Sequence, residues 1–490
     1  MRKLRLILAV VGTFLAFCFF HVLDAGNFVG AYIIGTIDSP IITILILSYF
    51  LNFGENEDMS IFDFREIDSC EREFVGYDRI QGELYNSIKN GISFIYSGSH
   101  RLPNDFYRGI LVTGKSGVGK SLMVSQIISH FDVPKYYVDF AYSYSVNPVE
   151  SVFSCARSEK NDYPCIIFLD SLEKISDEYV GYLIKNMESI NEHDIIIVAT
   201  TNNPDIIDAK LMTFFDQSFN VNLPNKSDRT EIFYEILGHL DIDFKEEDLQ
   251  QLIKWTDGMT GNDIKMFIYD TYKCSKFDDD LNFDDFRKGL KYFLYGKSAN
   301  IDQSYSDLKR TAYHEAGHAL VDGILNKREI IEIFISPREY VNGAVIFSDF
   351  NLVNLTKSEY FNYIDVALGG LVAEEIIFGE ADEGVVDDLK FATKYAQDMI
   401  LKYGMDKDFG PVGIDISDNK DGIYGKKEYV KDSTLLVRKV LQDSYLRVEN
   451  ILKKNKILLD QVAETLLASE TKSITGEEFS AIIKENPYVE

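Results

Sequence analysis

The stretch Arg108–Phe131, RGILVTGKSGVGKSLMVSQIISHF, decides how the first half of this chain is read. A β-prone apolar run, RGILVT, leads into the octet Gly114, Lys115, Ser116, Gly117, Val118, Gly119, Lys120 and Ser121, and an apolar-periodic helix follows. The octet fits G-x-x-x-x-G-K-[ST] in the strand–loop–helix context that this pattern requires. Its glycines let backbone N–H groups curl around phosphates, and the helix N-terminus adds positive potential. Lys120 is then expected to reach the outer phosphates and Ser121 to hold Mg²⁺. An ordinary glycine turn is the rival reading, disfavoured because motif, strand and helix agree.

Two more apolar runs end at polar residues of matching type. PCIIFLD closes on Asp170, where a second Mg²⁺-associated acid belongs, and HDIIIVATT leads to Asn202, suited to orienting an attacking water. Short runs of this kind separated by helical stretches read as buried parallel strands. From about Asn225 to Lys297 the pattern turns mainly helical, in RTEIFYEILGHL, EEDLQQLIKW and GNDIKMFIYDTYKC. A polar joint follows near Lys297–Ser306, then more helices, with IIEIFISP and GAVIFSDF as expected strands.

At 490 residues the chain exceeds one ordinary core, and 46% apolar with 26% charged residues reads as globular. A net charge of −28 disfavours nucleic acid as a partner. Five scattered cysteines without a C-x-x-C pair suit a reducing compartment and offer no cysteine-built metal site. The N-terminus differs from the rest. Leu6–Leu23 is apolar and long enough to cross a bilayer, and Arg2, Lys3 and Arg5 before it keep its start in the cytoplasm. A second apolar stretch, Phe28–Phe53, is broken by Asp38, Ser39 and Pro40. It reads as a kinked span or a re-entrant segment. Two crossings return the body to the side that holds ATP. A cleaved signal peptide is the weaker reading of the first stretch, since HVLDAG is a poor cleavage site. The polar run 52–60 reads as a linker.

In the second half, TAYHEAGHALVDG carries His314, Glu315 and His318. Residues four apart share a helix face, so both imidazoles can meet one zinc ion, with Glu315 placed to take a proton from the attacking water. A surface helix with two histidines is the plain alternative. Three protein ligands are needed. No third histidine follows closely. Asp387 and Asp388 in EGVVDDLKFATKYAQDMILKYG are candidates, although acids there also cap helices; Glu374 and Glu375 in GGLVAEEIIFG are weaker ones.

The order of phosphate loop, Asp170, Asn202 and H-E-x-x-H behind apolar spans resembles the FtsH family of membrane-anchored AAA+ zinc metalloproteases. The likeness runs from about Phe74 to the C-terminus, through VGYD, PCIIFLD, ATTNNPD, TDGMTGNDI, YHEAGHALV, GGLVAEEIIFG and DDLKFAT. It implies that Asp388 is the third zinc ligand and that Zn²⁺ and ATP with Mg²⁺ are the cofactors. It also implies a six-subunit ring that pulls membrane or damaged proteins through a pore and cuts them. The expected fold is an α/β P-loop AAA+ domain (59–224) with a helical lid (225–298). A mainly α-helical zinc metallopeptidase domain (299–490) follows, behind a membrane anchor (1–58, spans 6–23 and 28–53).

The departures matter as much. Ser171 stands where the family has the glutamate that polarises water, and serine is a poor base at neutral pH. Glu173, two residues on, shares the face of Ser171 if the strand continues. The family's paired arginines are missing from AKLMTFFDQSF, and Arg229 aligns elsewhere. Losing such an arginine costs roughly 10³–10⁵ in rate in related systems. The grip loop is altered to DFAYSYS, where Tyr142 and Tyr144 serve either gripping or packing. Only a few residues separate the spans. The expectation is therefore a membrane-bound zinc endopeptidase in a homo-hexamer or a mixed hexamer with a paralogue, whose ATP hydrolysis is weak or lost. A fully ATP-driven protease, or a non-catalytic scaffold subunit, are the alternatives.

Overall fold

The computed structural model describes residues 62–63, 74–97, 108–142, 147–158, 164–189, 195–242, 244–276, 281–299, 301, 303–348, 354–414 and 426–489. Both apolar stretches at the N-terminus, the linker after them and Tyr144 lie outside the described residues. Among the described residues no helix is long and apolar enough to cross a membrane.

The first half is built on a six-stranded sheet ordered β1-β3-β4-β5-β2-β6. Its strands are β1 (Phe62–Asp63), β2 (Gly109–Gly114), β3 (Lys135–Asp139), β4 (Cys165–Asp170), β5 (Ile195–Thr201) and β6 (Gln217–Val221). All pairings are parallel except that of β1 with β3. The near-continuous apolar runs of β2, β4 and β5 reflect burial on both faces. Strand alternation sorts them. Ile110, Val112, Ile166, Phe168, Ile196 and Val198 face a core with α1 (Asp78–Ser97) and α2 (Lys120–Ser129). Leu111, Ile167, Leu169, Ile195, Ile197 and Ala199 face the other core, with α3 (Pro148–Ser158) and α4 (Asp177–Glu188). The sequence reading did not single out β3 (KYYVD) or β6 (QSFNV), since both mix polar residues into short runs. The register aligns Val112 with Thr200 and Leu169 with Ala199. The carboxyl ends of β2, β4 and β5 therefore meet at one edge, where chain order reverses around β2. Ligands of open α/β sheets bind at such a point.

A short α5 (Ala209–Met212) precedes β6, and four helices follow it: α6 (Lys226–His239), α7 (Glu246–Trp255), α8 (Gly261–Cys274) and α9 (Phe283–Tyr295). Asn225, Thr260 and Asn282 start three of these with reciprocal capping boxes, closed by Asp228, Asp263 and Asp285. Phe233, Phe267, Phe286 and Leu290 form their core, which also takes in Ile331, Phe334 and Ile346 of a second sheet.

That second sheet is antiparallel, ordered β8-β7-β9, from β7 (Ile330–Phe334), β8 (Ala344–Phe347) and β9 (Ser473–Thr475). Around it lie α10 (Tyr305–Leu325), α11 (Lys357–Phe378) and α12 (Val386–Gln397), with α13 (Lys426–Lys454), α14 (Lys456–Ala468) and α15 (Gly476–Glu485). The crossing of α10 and α11 is unusually close. A Cβ added at Gly317 would overlap the Gly369 carbonyl oxygen, so only glycine allows this approach.

Candidate metal centre and nucleotide cleft

The close crossing positions the histidines. His314 and His318 lie one turn apart on α10, facing α11. His318 Nδ1 bonds the Val366 carbonyl at 2.7 Å, and His314 Nδ1 bonds Glu374 at 2.8 Å. With both Nδ1 atoms held from behind, both Nε2 atoms point forward and lie 3.0 Å apart. Asp388, in the first turn of α12, brings Oδ2 to 3.0 Å from His314 Nε2 and 3.4 Å from His318 Nε2. One ligand atom from each of the three lies within 4.8 Å of the others. The remaining candidates stand elsewhere. Asp387 is exposed and pairs with Lys390 at 2.8 Å. Glu375 accepts a hydrogen bond from Tyr445. Glu374 is buried behind His314, tied also to Arg310 at 2.7 Å.

The titratable groups of this cluster are strongly coupled to one another. Burial works to lower the His314 pKa, but its hydrogen bonds to the accepting carboxylates of Asp388 and Glu374 outweigh it and push it up to about 10. Burial acts to raise Asp388, yet its bonds to both imidazoles hold it well below the usual carboxylate range. Glu315 is pushed up by burial, against the pull of the two histidines. An imidazole pair whose rear nitrogens bond a carboxylate and a carbonyl, with a carboxylate in front, fits the donor chemistry of zinc, and those rear bonds fix how each ring is turned.

The other site is a cleft of about 570 Å³ where β2, β4 and β5 end, lined by Ser116–Leu122, Asp170, Thr200 and Asn202, with His239, Gly261 and Lys265 opposite. Gly117 has φ 84° and Gly119 φ 97°, the left-handed region that glycine tolerates. Lys120 Nζ donates to the Gly114 and Lys115 carbonyls at 2.8 and 2.9 Å and to Asn202 Oδ1 at 2.6 Å. Ser121 Oγ donates to Asp170 Oδ1 at 2.7 Å. Tyr137 donates to the other Asp170 oxygen at 3.2 Å, and Thr200 also bonds Asp170. Burial lowers the Lys120 pKa, opposed by Glu173 and Asp170.

The strand-like path after Asp170 is not what forms. Ser171 takes a left-handed backbone, φ 58° and ψ 46°, because its N–H turns back to Asp170 Oδ1 at 3.0 Å and Thr200 Oγ1 at 3.1 Å. A 3₁₀ turn, Leu172–Lys174, follows. The turn brings Glu173 back to Asn202, whose side chain donates to Oε1 at 2.7 Å and whose backbone N–H donates to Oε2 at 3.2 Å. Arg229 is buried and tied to Asp257, Pro224 and Ile253, a brace inside the helical segment. In the run where the family has arginines, Lys210 is exposed and pairs with Glu188 at 2.7 Å. Tyr142 is exposed.

Comparison with known proteins adds two matches to this geometry. Residues 303–482 match the family model "Peptidase family M41", and residues 110–223 match "ATPase family associated with various cellular activities (AAA)". An ATP-dependent zinc metalloprotease FtsH of Caldicellulosiruptor bescii is 28% identical over 439 residues, 82% of this chain and 70% of that protein. One from a Synechococcus species is 27% identical over 489 residues, 90% of this chain and 74% of that protein. One from Thermus thermophilus is 27% identical, covering 83% and 68%. The chain belongs to the FtsH family. As an FtsH-family chain it carries an AAA α/β domain followed by a helical peptidase domain, and its cofactors are Zn²⁺ and Mg²⁺-ATP. The residues present fit both: convergent nitrogen and oxygen donors for zinc, and a glycine loop with a lysine, a hydroxyl and an acid for Mg²⁺-ATP.

The sequence reading undervalued Gly369, Gly370 and Glu374. The second glycine of GGLVAEE makes room for the metal centre: a Cβ at Gly370 would overlap the His314 ring. A small-residue pair one helical turn ahead of an acid, Gly370 to Glu374 at i and i+4, is the available signal.

Proposed function

We propose that this chain is a membrane-bound zinc endopeptidase of membrane or misfolded proteins, in which His314, His318 and Asp388 hold the metal and Glu315 is the base. The observation that carries this is the convergence of those three side chains, with buried Glu315 next to His314 on the same helix. Zinc bound there supplies Lewis acidity to the scissile carbonyl and to water. Glu315 takes the proton of that water as its oxygen bonds the carbonyl carbon. The same carboxyl then returns the proton to the amide nitrogen as the C–N bond breaks. Glu374 and the Val366 carbonyl keep the imidazoles aimed. β8 is an edge strand, and Gly343 just before it is close enough that an added Cβ would lie 2.9 Å from Glu315 Oε1. A substrate strand added along β8 therefore runs toward the base, through main-chain bonds that favour broad specificity.

The proposed organisation is an anchor at 1–58 with spans at 6–23 and 28–53, an AAA+ domain at 59–224, a lid at 225–298 and the peptidase at 299–490. The body then lies in the cytoplasm or an equivalent compartment, in a homo-hexamer or a mixed hexamer with a paralogue. Gly114 to Ser121, Asp170 and Asn202 hold Mg²⁺-ATP. Without a glutamate at Ser171 and without arginines in the 209–219 run, its hydrolysis is slow.

Glu315→Gln tests the peptidase reading. Zinc is expected to stay stoichiometric by elemental analysis, while cleavage of an unfolded protein falls by roughly 10²-fold or more. Wild-type cleavage by this variant refutes the assignment.

A further inference from the structure

The cleft lacks an acid directly after Asp170, yet a carboxylate is present. We propose that Glu173 is the general base for ATP hydrolysis in this chain, delivered by the left-handed turn at Ser171. The proposal rests on the reading that the cleft binds Mg²⁺-ATP.

The geometry carries it in three steps. Had β4 run on, Glu173 would lie three residues beyond its last residue, Asp170. The turn at Ser171 and the 3₁₀ segment fold it back onto the end of β5 instead. There both of its oxygens accept from a single residue, Asn202, at 2.7 and 3.2 Å. Asn202 in turn accepts from Lys120 at 2.6 Å. One side chain thus separates Glu173 from the lysine expected at the outer phosphates. The carboxylate is half-buried and held on Asn202, which itself lines the cleft. The Ser171 side chain has neither the basicity nor a need to be there, since its backbone N–H makes the turn.

In the reaction, the water oxygen bonds the γ-phosphorus and the bond from that phosphorus to the β–γ bridging oxygen breaks. The bond's electron pair leaves with ADP. The proton of the water passes to Glu173 and then to inorganic phosphate or solvent. A purely structural Glu173, capping Asn202, is the competing role.

The test uses the full chain in detergent with Mg²⁺-ATP. Steady-state turnover, affinity for a fluorescent ATP analogue, and the ATP:ADP ratio of bound nucleotide after incubation are measured for wild type, Ser171→Ala, Glu173→Gln and Lys120→Ala. The expected result is wild-type turnover above Lys120→Ala and Ser171→Ala within about twofold of wild type. Glu173→Gln should fall roughly 10²-fold or more in kcat, within the range of general-base losses. Its affinity should stay unchanged and its bound nucleotide should remain ATP. If Glu173→Gln binds no nucleotide, Glu173→Asp decides: it keeps the charge and shortens the reach, and at least tenfold lower kcat at equal affinity is expected. Turnover of a binding-competent Glu173→Gln within threefold of wild type overturns the proposal. So does a wild type that binds ATP but turns over no faster than Lys120→Ala. A wild type that binds no ATP at all overturns the cleft reading itself, and the proposal with it.

Discussion

Gly370→Ala is the sharpest test of how the metal centre is built. The side chain it adds is small, uncharged and favourable for helices, so any harm must come from where it lands. Its Cβ would lie 2.5 Å from His314 Nε2 and 2.6 Å from Nδ1, whereas ordinary contact begins at 3.4 Å. The ring must therefore retreat by about 1 Å, several times the ~0.2 Å tolerance of a metal–ligand distance. It cannot retreat freely, because Nδ1 is tied to Glu374 and Gly317 is already in contact with α11. Opening the crossing instead strains the packed core by about 1–3 kcal/mol. Either way the donor set loses its convergence. Zinc affinity, measured by competition with a chromophoric chelator, is expected to fall at least 100-fold, and proteolysis with it, while ATP affinity stays at the wild-type value. Gly181→Ala on α4 is the control, since nothing lies within 4 Å of its Cβ. It should be neutral or stabilise by up to about 1 kcal/mol. Wild-type zinc affinity in Gly370→Ala would refute the reasoning.

Two further outcomes are expected. Asp388→Asn should abolish stoichiometric zinc by elemental analysis, while Asp387→Asn, at an exposed residue paired with Lys390, should leave it intact. Arg447→Met should destabilise the fold by about 2–3 kcal/mol at neutral pH, because it removes a bidentate partner at 2.8 and 2.9 Å from buried Asp365. Asp365 is already raised by burial against the pull of Arg447, and losing the arginine raises it further. The folded state then holds this proton above the unfolded carboxyl value of about 3.9. Stability of the variant is thus greatest at or below that value and falls as pH rises through the folded pKa. Urea unfolding at several pH values checks this. A loss that does not grow with pH would point to packing rather than charge.

How much of this was legible in the sequence depends on the range of the interaction involved. The glycine loop and the H-E-x-x-H pair were readable because each is set by local geometry: a strand–loop–helix transition in one case, one helical turn in the other. The buried strands β2, β4 and β5 were readable because burial on both faces removes polar residues from them. β3 was not, since Lys135, Tyr136 and Tyr137 keep polar atoms within a largely buried strand. The choice between Asp387 and Asp388 was not local either. Both sit in the first turn of α12, and which one faces α10 depends on packing between helices far apart in sequence. Only the family likeness favoured Asp388 beforehand.

Ser171 is the most instructive position. From the sequence, its substitution reads as loss, and a residue two places on is judged by the period of a strand. That period no longer holds where the strand stops. Asp170 is the last residue of β4, and its carboxylate draws the next backbone N–H back onto itself. The chain therefore turns immediately, at the modest cost of a left-handed serine, about 1–2 kcal/mol. What the turn brings back to the sheet edge is the side chain of Glu173, against Asn202. A motif compared position by position records an acid missing after Asp170. The folded chain has an acid at that edge by a different backbone route, so the chemistry of this cleft has to be judged from Glu173 as well as from Ser171.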